Sequence, residues 1–167
     1  IKGVQLIEYP FKLAQQSQYI DEVIFSTDSK KYINILRKKN KTQKKPTYFI
    51  QRPKNLAKDN SSSFSAIDHA LKFTDTKATI IVLLEPTSPL TTKKDLDASI
   101  KKLLNKNSKF NSVVSLVTNP KFNSNYKVKI DKKNKIINFN KNIKKRRQRI
   151  IDEFVLSGNF YISRKES

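Results

Sequence analysis

The stretch LLEPTSPL, residues 83–90, carries side chains suited to binding a polar substrate. Thr87 and Ser88 offer hydroxyls between two prolines, and Glu85 offers a carboxylate just before them. The apolar run over residues 78–84 predicts a strand buried on both faces, as at the centre of a parallel sheet. Proline cannot continue a strand ladder, so the strand must end in this loop. Because open α/β sheets bind ligands beyond the carboxyl ends of their strands, we predict a ligand site here.

A second polar loop, RPKNLAKDNSSS, occupies residues 52–63 and contains Arg52, Asp59 and Ser63. It follows a strand predicted over residues 47–50 and leads into a helix predicted over residues 64–73. A helix N-terminus with free amides, hydroxyls and a nearby arginine suits a phosphate group or a sugar hydroxyl. The same residues also fit an ordinary loop with a capped helix, and the spacing alone does not separate the two interpretations.

Two further titratable residues lie within the predicted elements. Asp28 ends a short strand predicted over residues 22–28, and it could contact a ligand or a metal ion. It could equally cap the helix that begins at Ser29, which is the commoner role. His69 is the single histidine of the chain and lies inside the helix over residues 64–73. With no second imidazole available, we interpret it as structural.

Periodicity supplies the elements that position these loops. Amphipathic helices are predicted over residues 6–14, 29–36, 64–73 and 95–104, and apolar strands over residues 22–28, 47–50, 78–84 and 112–117. This alternation predicts an α/β fold with a mostly parallel sheet covered by helices. Residues 126–130 and 135–139 alternate with period two around a polar turn, which predicts a hairpin. We expect a core of residues 1–118 and 151–167, closed by a strand over 154–162, and a small lobe of residues 119–150.

Composition limits the classes of function. The formal net charge of +21 and the pI near 10.1 are typical of nucleic-acid-binding proteins. The lysines are scattered, however, and we interpret most of them as solvated, so nucleic acid is not the partner we expect. The run over residues 144–149 fits a nuclear-import or nucleic-acid patch, a solvated charge run, or a clamp for an acidic substrate. No eighteen-residue apolar run and no cysteine occur. We therefore expect no membrane span and a cytoplasmic protein.

The ordered motifs DEVIFSTD, RPKNLAKDNSSS, LLEPTSPL, RRQ and SGNFYI resemble those of the acylneuraminate cytidylyltransferases, also called CMP-sialic acid synthetases. The resemblance spans nearly the whole chain. It implies a Rossmann-like nucleotidyltransferase fold, an antiparallel dimerisation arm at residues 119–150 and a homodimer. It also implies transfer of CMP from CTP to an acidic nine-carbon sugar, a nonulosonic acid, with release of pyrophosphate and use of Mg²⁺.

The resemblance also implies roles for particular residues. Those expected to face the nucleotide or support its loop are Arg52, Asp59, Ser63, Thr87 and Ser88. Those expected to contact the sugar are Glu85, Thr87, Ser88, Arg147, Phe160 and Tyr161. The guanidinium of Arg147 is expected to neutralise the sugar carboxylate, for which its fork is suited. The resemblance assigns no general base, and Asp28 stays a weak metal candidate.

The sequence departs from the family pattern in ways that affect these expectations. Glu85 stands where many members have glutamine, and Ser157 stands where asparagine is commoner. A carboxylate accepts hydrogen bonds but cannot donate as an amide does. Both changes point toward a legionaminic- or pseudaminic-type sugar. A basic glycine-containing loop before the first residues and an acidic metal motif after the last are also expected of the family. We therefore expect these 167 residues alone to be inactive and to expose a sheet edge.

Three other functions remain open at this point. A related sugar nucleotidyltransferase, such as a 3-deoxy-octulosonate cytidylyltransferase or a sugar-1-phosphate guanylyltransferase, shares the α/β core. A non-enzymatic nucleic-acid-binding protein rests on the charge alone. A scaffold or dimerisation module that kept the fold without catalysis is the third.

Overall fold

The computed structural model describes residues 1, 3–39, 44–118, 131–136 and 154–166. The helices are α1 (Glu8–Gln16), α2 (Lys30–Lys39), α3 (Ser63–Lys72) and α4 (Lys93–Leu104). The strands are β1 (Val23–Thr27), β2 (Thr47–Gln51), β3 (Ile80–Leu84), β4 (Ser112–Thr118) and β5 (Phe154–Arg164). Helices and strands alternate as far as residue 118, as the sequence predicts, and the α/β class is confirmed.

The chain divides into two compact units, Ile1–Val113 with Asn159–Ser167, and Val114–Gly158. The predicted boundaries at residues 118 and 151 stay a prediction, because most of the predicted lobe lies outside the described residues. Its turn is described: the Asp131 carboxylate accepts the backbone N–H groups of Lys133 and Lys135 at 2.8 and 2.9 Å. Asn134 completes this turn in the left-handed region, with φ of 60°.

Strands β1 and β2 form a parallel pair joined by α2, as expected for a strand–helix–strand unit. Val23 lies opposite Thr47, and the register continues to Thr27 opposite Gln51. Helix α2 forms the crossover because its apolar residues repeat at helical spacing, and Ile33 and Leu36 are buried. Strand β1 ends at Thr27, and α2 begins after Asp28 and Ser29, so the strand is followed closely by a helix, as the sequence predicts.

Strand β3 belongs to a separate three-stranded sheet in the order β3–β5–β4, and it pairs with β5 in antiparallel direction. The expected mostly parallel sheet is thus accompanied by an antiparallel one. Strict alternation of strands and helices stops after β4, so the rule that makes successive strands parallel does not extend to β5. The prediction that β3 is central and buried on both faces is wrong: all five of its residues are half-buried. Within the described residues β3 lies at the edge of its sheet.

Helix α1 packs into both apolar clusters of the larger unit. Leu13 joins the cluster formed mainly by α4 and β5, whereas Phe11 and Ala14 join the cluster of β1 and α2. Leu84, the last residue of β3, packs against both clusters. The rings of Phe11, Phe25 and Phe49 lie 6.1–6.4 Å apart in the second cluster. The ends of the strands that precede the predicted site are therefore held by shared apolar contacts. In the part of the chain that the structure describes, no helix is long and apolar enough to cross a membrane.

Candidate functional site

The first loop of the site begins at Arg52, directly after β2. The backbone N–H of Arg52 donates to the carbonyl of Thr27 at 2.8 Å, which joins the ends of β1 and β2. Its side chain is half-buried, and its Nε is buried without a hydrogen-bond partner among the described residues. A buried guanidinium nitrogen with no acceptor costs free energy, so this donor is left unsatisfied within the described residues.

The rest of this loop is folded by its own hydrogen bonds. The Ser61 hydroxyl donates to the carbonyl of Asn55 at 3.1 Å and accepts the N–H of Lys58 at 3.1 Å. Ser62 is the N-cap of α3, and its Oγ accepts the N–H of Phe64 at 3.2 Å. Ser63 is exposed at the first position of the helix. Capping therefore uses Ser62 and leaves the Ser63 hydroxyl facing solvent beside the helix N-terminus.

The predicted residue Asp59 lies exposed on this loop, between Lys58 and Asn60. The loop around it contains a short 3-10 turn over Lys54–Leu56. Because Asp59 faces solvent, its expected supporting role stays a prediction.

The second loop follows β3 and holds Glu85, Thr87 and Ser88. It forms two successive turns: the N–H of Ser88 donates to Glu85 at 3.4 Å, and the N–H of Thr91 donates to Ser88 at 3.3 Å. Glu85 and Ser88 are half-buried, whereas Thr87 is exposed. Helix α4 begins immediately afterwards, with Thr92 as its N-cap. Thr87 is thus an exposed residue on a hydrogen-bonded turn, and its expected contact with substrate stays a prediction.

Strand β5 places the two predicted aromatic residues on opposite faces. Phe160 pairs with Leu84 in the ladder, is only 4% exposed and packs into the core with Leu13 and Leu96. Its side chain therefore stabilises the fold instead of presenting a face to solvent. Tyr161 pairs with Leu83 and is half-buried on the other face of the sheet. Of the two, Tyr161 is the better candidate for a pocket wall.

Gly158, the second residue of the SGNFYI segment, has a left-handed conformation, with φ of 73°. A Cβ atom there would meet no described atom within 4 Å. Backbone conformation, and not close approach by another group, thus explains glycine at this position.

Other predicted residues are not brought into the site. Asp28 is exposed just before α2. The N–H of Ser29 donates to the hydroxyl of Thr27 at 3.3 Å, so the side chain seen to accept at the start of α2 is Thr27 and not Asp28. The described residues contain no group of three or more His, Asp or Glu side chains that could hold a metal ion. The ring of His69 lies 4.8 Å from that of Phe73 at an angle of 45°, and its Nδ1 is buried without a partner among the described residues, so its structural role stays a prediction. Arg147 and the basic run over residues 144–149 lie outside the described residues.

Sequence reasoning missed two buried carboxylates. Glu8 is 3% exposed and accepts from Lys39 at 2.6 Å, and Asp97 is 8% exposed and bonds to Ser17. Each stands three residues before a buried apolar residue, Phe11 or Ile100, at the margin of the helix's apolar face. An acidic residue at that spacing is the signal that could have revealed them.

Their surroundings hold both carboxylates in the charged form. Burial acts to raise the pKa of each, but hydrogen bonds outweigh it. Lys39 and the N–H of Gln5 lower the pKa of Glu8 below its ordinary value. Ser17, Lys93 and the N–H of Gln18 do the same for Asp97. Both groups therefore favour folding above the acidic range.

Comparison with known proteins places these features in a family. A family model described as cytidylyltransferase matches residues 1–166. The chain is 34% identical over 117 residues to the N-acylneuraminate cytidylyltransferase of Escherichia coli O18:K1:H7. That match covers 70% of this chain and 26% of the relative, so the chain spans about a quarter of that protein's length.

Two solved structures share the fold. The 4-diphosphocytidyl-2C-methyl-D-erythritol synthase of Anaerococcus prevotii superposes with a TM-score of 0.67 at 13% identity, over 99% of this chain and 62% of its own. A CMP:2-keto-3-deoxy-manno-octonic acid synthetase in complex with CTP superposes with a TM-score of 0.64 at 12% identity, over 96% of this chain and 64% of its own. At these identities the likeness concerns the fold alone.

Proposed function

Because the chain belongs to the cytidylyltransferase family, we propose that the protein transfers CMP from CTP to a nonulosonic acid and releases pyrophosphate. The sugar is of the sialic, legionaminic or pseudaminic type. Support for an acidic sugar comes from the Escherichia coli relative, which is an N-acylneuraminate cytidylyltransferase. The residues expected to contact nucleotide and sugar lie on loops that follow strands, where α/β proteins bind their ligands.

The observation that carries the proposal is the position of Arg52. Its Nε is buried without a described acceptor, at the start of a loop that ends in the N-terminus of α3. The exposed Ser63 hydroxyl and the helix dipole add further attraction for an anion. A nucleotide phosphate is an anion with oxygens suited to this fork of donors.

We expect the second loop to bind the sugar, which accepts the CMP group. We expect Thr87 and Ser88 to contact the sugar; in support, Thr87 is exposed and Ser88 lies next to it in the same turn. Glu85 accepts hydrogen bonds and cannot donate them while charged. It would therefore favour a sugar that presents a hydroxyl or amide N–H at this point, and Tyr161 would wall the pocket.

The reaction follows from the two substrates. The oxygen of the anomeric hydroxyl forms a bond to the α-phosphorus of CTP, the bond to the bridging oxygen breaks, and pyrophosphate leaves with that electron pair. The hydroxyl proton is lost, and we assign no residue as its acceptor. Arg52 and Ser63 hold the nucleotide, and Arg147 pairs with the sugar carboxylate. The protein's contribution is mainly the alignment of the reacting atoms.

Three finer points complete the proposal. Mg²⁺ is expected from the family resemblance, but no cluster in the described ranges fits it, so we assign no ligands and route no step through it. We propose a homodimer formed through residues 119–150. We also place the reaction in the cytoplasm, with its substrate CTP.

The test is a pyrophosphate-release assay of the protein expressed from its complete reading frame. CTP is offered with sialic, legionaminic, pseudaminic and 3-deoxy-octulosonic acids, and ATP, GTP and UTP are the nucleotide controls. We expect release only with CTP and a nine-carbon acid, with the CMP-sugar detected by mass spectrometry. Release with 3-deoxy-octulosonic acid alone, or with GTP and a sugar 1-phosphate, would replace the proposal by one of its relatives. The 167 residues alone are assayed in parallel, for which we expect no turnover.

The role of Arg147 has a matched control in the same basic run. Arg147→Ala and Arg149→Ala each remove one guanidinium from RRQR. We expect Arg147→Ala to raise the KM for the sugar about 10-fold or more, as for a lost charge-assisted pair. The KM for CTP should change little, and Arg149→Ala should change neither. Equal effects on both substrates would remove Arg147 from the sugar site.

A further inference from the structure

A buried polar cluster joins α4 to the turn between α1 and β1. Oδ1 of Asp97 accepts the hydroxyl of Ser17 at 2.5 Å. Oδ2 accepts the N–H of Gln18 at 3.4 Å and forms an ion pair with Lys93 at 2.9 Å. Asp97 is 8% exposed and Ser17 is 3% exposed, so the bond between these two side chains is shielded from water. The link connects residues 80 positions apart in the chain.

Ser17 is itself held from a third element. The carbonyls of Ser17 and Ile20 both accept from Nζ of Lys45, a residue just before β2. Gln15 of α1 adds two bonds to the same segment: its Oε1 accepts the N–H of Lys45 at 3.2 Å, and its Nε2 donates to Thr47 at 2.9 Å. The partner of Asp97 is therefore fixed in place, and Asp97 is bonded to a rigid support.

The apolar contacts of α4 do not determine its orientation in the same way. Leu96, Ile100 and Leu103 are fully buried, but dispersion contacts have little directional preference. Hydrogen bonds depend steeply on distance and angle. Burial of these three residues sets which face of α4 turns to the core. The bonds of Asp97 add a directional constraint on the rotation of α4 about its axis.

The rotation of α4 determines where the loop before it lies. Asp97 is in the second turn of the helix, five residues after the N-cap Thr92. The hydroxyl of Thr91, one residue earlier, donates to the carbonyl of Ser88 at 2.9 Å. The first turn of α4 is therefore connected by a short, hydrogen-bonded segment to Thr87 and Ser88.

We propose that Ser17 and Asp97 form a positioning pair for the loop over residues 85–91. They contact no substrate; they act by holding α4, and through α4 the hydroxyls of Thr87 and Ser88. The consequence for catalysis rests on the function proposed above, whereas the consequence for the loop does not.

The first experiment measures the loop directly in the 167-residue chain. Amide exchange of Ser88 and Thr91 is followed by NMR in Asp97→Asn, in Ser17→Ala and in the control Glu8→Gln. Glu8 is also a buried carboxylate with a lysine partner, but it lies on α1. We expect all three variants to lose thermal stability. Only Asp97→Asn and Ser17→Ala should show faster exchange of the Ser88 and Thr91 amides, by about 10-fold relative to amides in the last turn of α4.

The second experiment measures turnover in the protein from its complete reading frame. Asp97→Asn should raise the KM for the sugar or lower kcat by about 10-fold, and it should change the Kd for CTP less, because Arg52 and Ser63 of the other loop are not held by Asp97. Glu8→Gln should leave all three quantities unchanged. Should Asp97→Asn fail to fold, Ser17→Ala supplies both readouts.

The outcomes separate the two proposals. Loop exchange that is unchanged, or that rises equally in Glu8→Gln, overturns the positioning role and leaves a purely structural bond. Wild-type protein without CMP transfer overturns the proposed function, and the exchange data still decide whether Ser17 and Asp97 hold the loop.

Discussion

Arg52 and Arg164 should respond in opposite ways to the same substitution. Arg52 has a buried Nε without a described partner, whereas Nη2 of Arg164 donates to the carbonyl of Leu103 at 2.8 Å, at the end of α4. Methionine keeps most of the apolar stem of arginine and removes the charge and the donors. The substitution therefore distinguishes an unsatisfied donor, which we propose binds an anion, from a donor already used by the fold.

The magnitudes follow from those contacts. An unsatisfied buried donor costs about 1–3 kcal/mol, and Arg52→Met removes that cost. The substitution also loses some packing, so the free energy of unfolding should rise by at most about 1 kcal/mol. For a chain of this size that is a rise in Tm of about 2–4 °C. Arg164→Met leaves a helix carbonyl without its partner and should lower the free energy of unfolding by about 1–2 kcal/mol.

The same variants should differ in nucleotide affinity. Loss of a hydrogen bond to a charged group costs about 1.5–3 kcal/mol, so Arg52→Met should raise the Kd for CTP about 10- to 100-fold, and Arg164→Met should leave it unchanged. Thermal unfolding is followed by circular dichroism, because the chain has no tryptophan. Affinity is measured by calorimetry on the protein from its complete reading frame. A drop in Tm for Arg52→Met together with unchanged CTP affinity would refute the assignment of Arg52 to an anion site.

The remaining predictions use neighbouring or paired positions. Leu103→Ala should lower the free energy of unfolding, measured in urea titrations, by about 2–5 kcal/mol, because Leu103 is 0% exposed. Leu104→Ala should lower it by less than about half as much, because Leu104 is 48% exposed. Ser62→Ala should cost about 1 kcal/mol through loss of the α3 cap, whereas Ser63→Ala should weaken CTP binding with little effect on Tm. Glu8→Gln should lower Tm more at pH 7 than at pH 3. The pKa of Glu8 is lowered on folding, so its contribution is present above about pH 4.5 and is lost as the pH falls through the folded value.

Each of these has a result that contradicts it. Equal losses for the two leucines would mean that burial of Leu103 is not what stabilises α4. A larger loss of stability from Ser63→Ala than from Ser62→Ala would reverse the capping assignment. A loss of Tm in Glu8→Gln that is the same at both pH values would show that the charge of Glu8 does not contribute.

The sequence was sufficient for features that depend on local spacing. The prediction of a helix over residues 64–73 is matched by α3, and that of a strand over residues 47–50 by β2, each within one residue. The polar loops at Arg52 and Glu85 were likewise found where the apolar runs end. Propensity and periodicity act over a few residues, and both are legible in one chain.

Features that depend on distant pairing were not predictable in this way. The antiparallel pairing of β3 with β5 joins residues about 80 apart, and no local pattern states the direction of a returning strand. The burial of Asp97 depends on Ser17 in the same manner. Phe160 illustrates the limit for the site: family resemblance suggested the sugar pocket, but strand alternation places its ring in the core and Tyr161 on the other face.

The position of α1 across both apolar clusters has a consequence for synthesis on the ribosome. Leu13 packs with Phe160 and Ile162, which are translated roughly 150 residues later. At about 5–20 residues per second, that delay is on the order of 10–30 s. The face of α1 that bears Phe11 can be covered early by β1 and α2. The face that bears Leu13 is covered in part by α4, and its packing is completed only when β5 has been made. Until then the nascent chain exposes part of an apolar helix face, where a chaperone that binds short apolar segments would act.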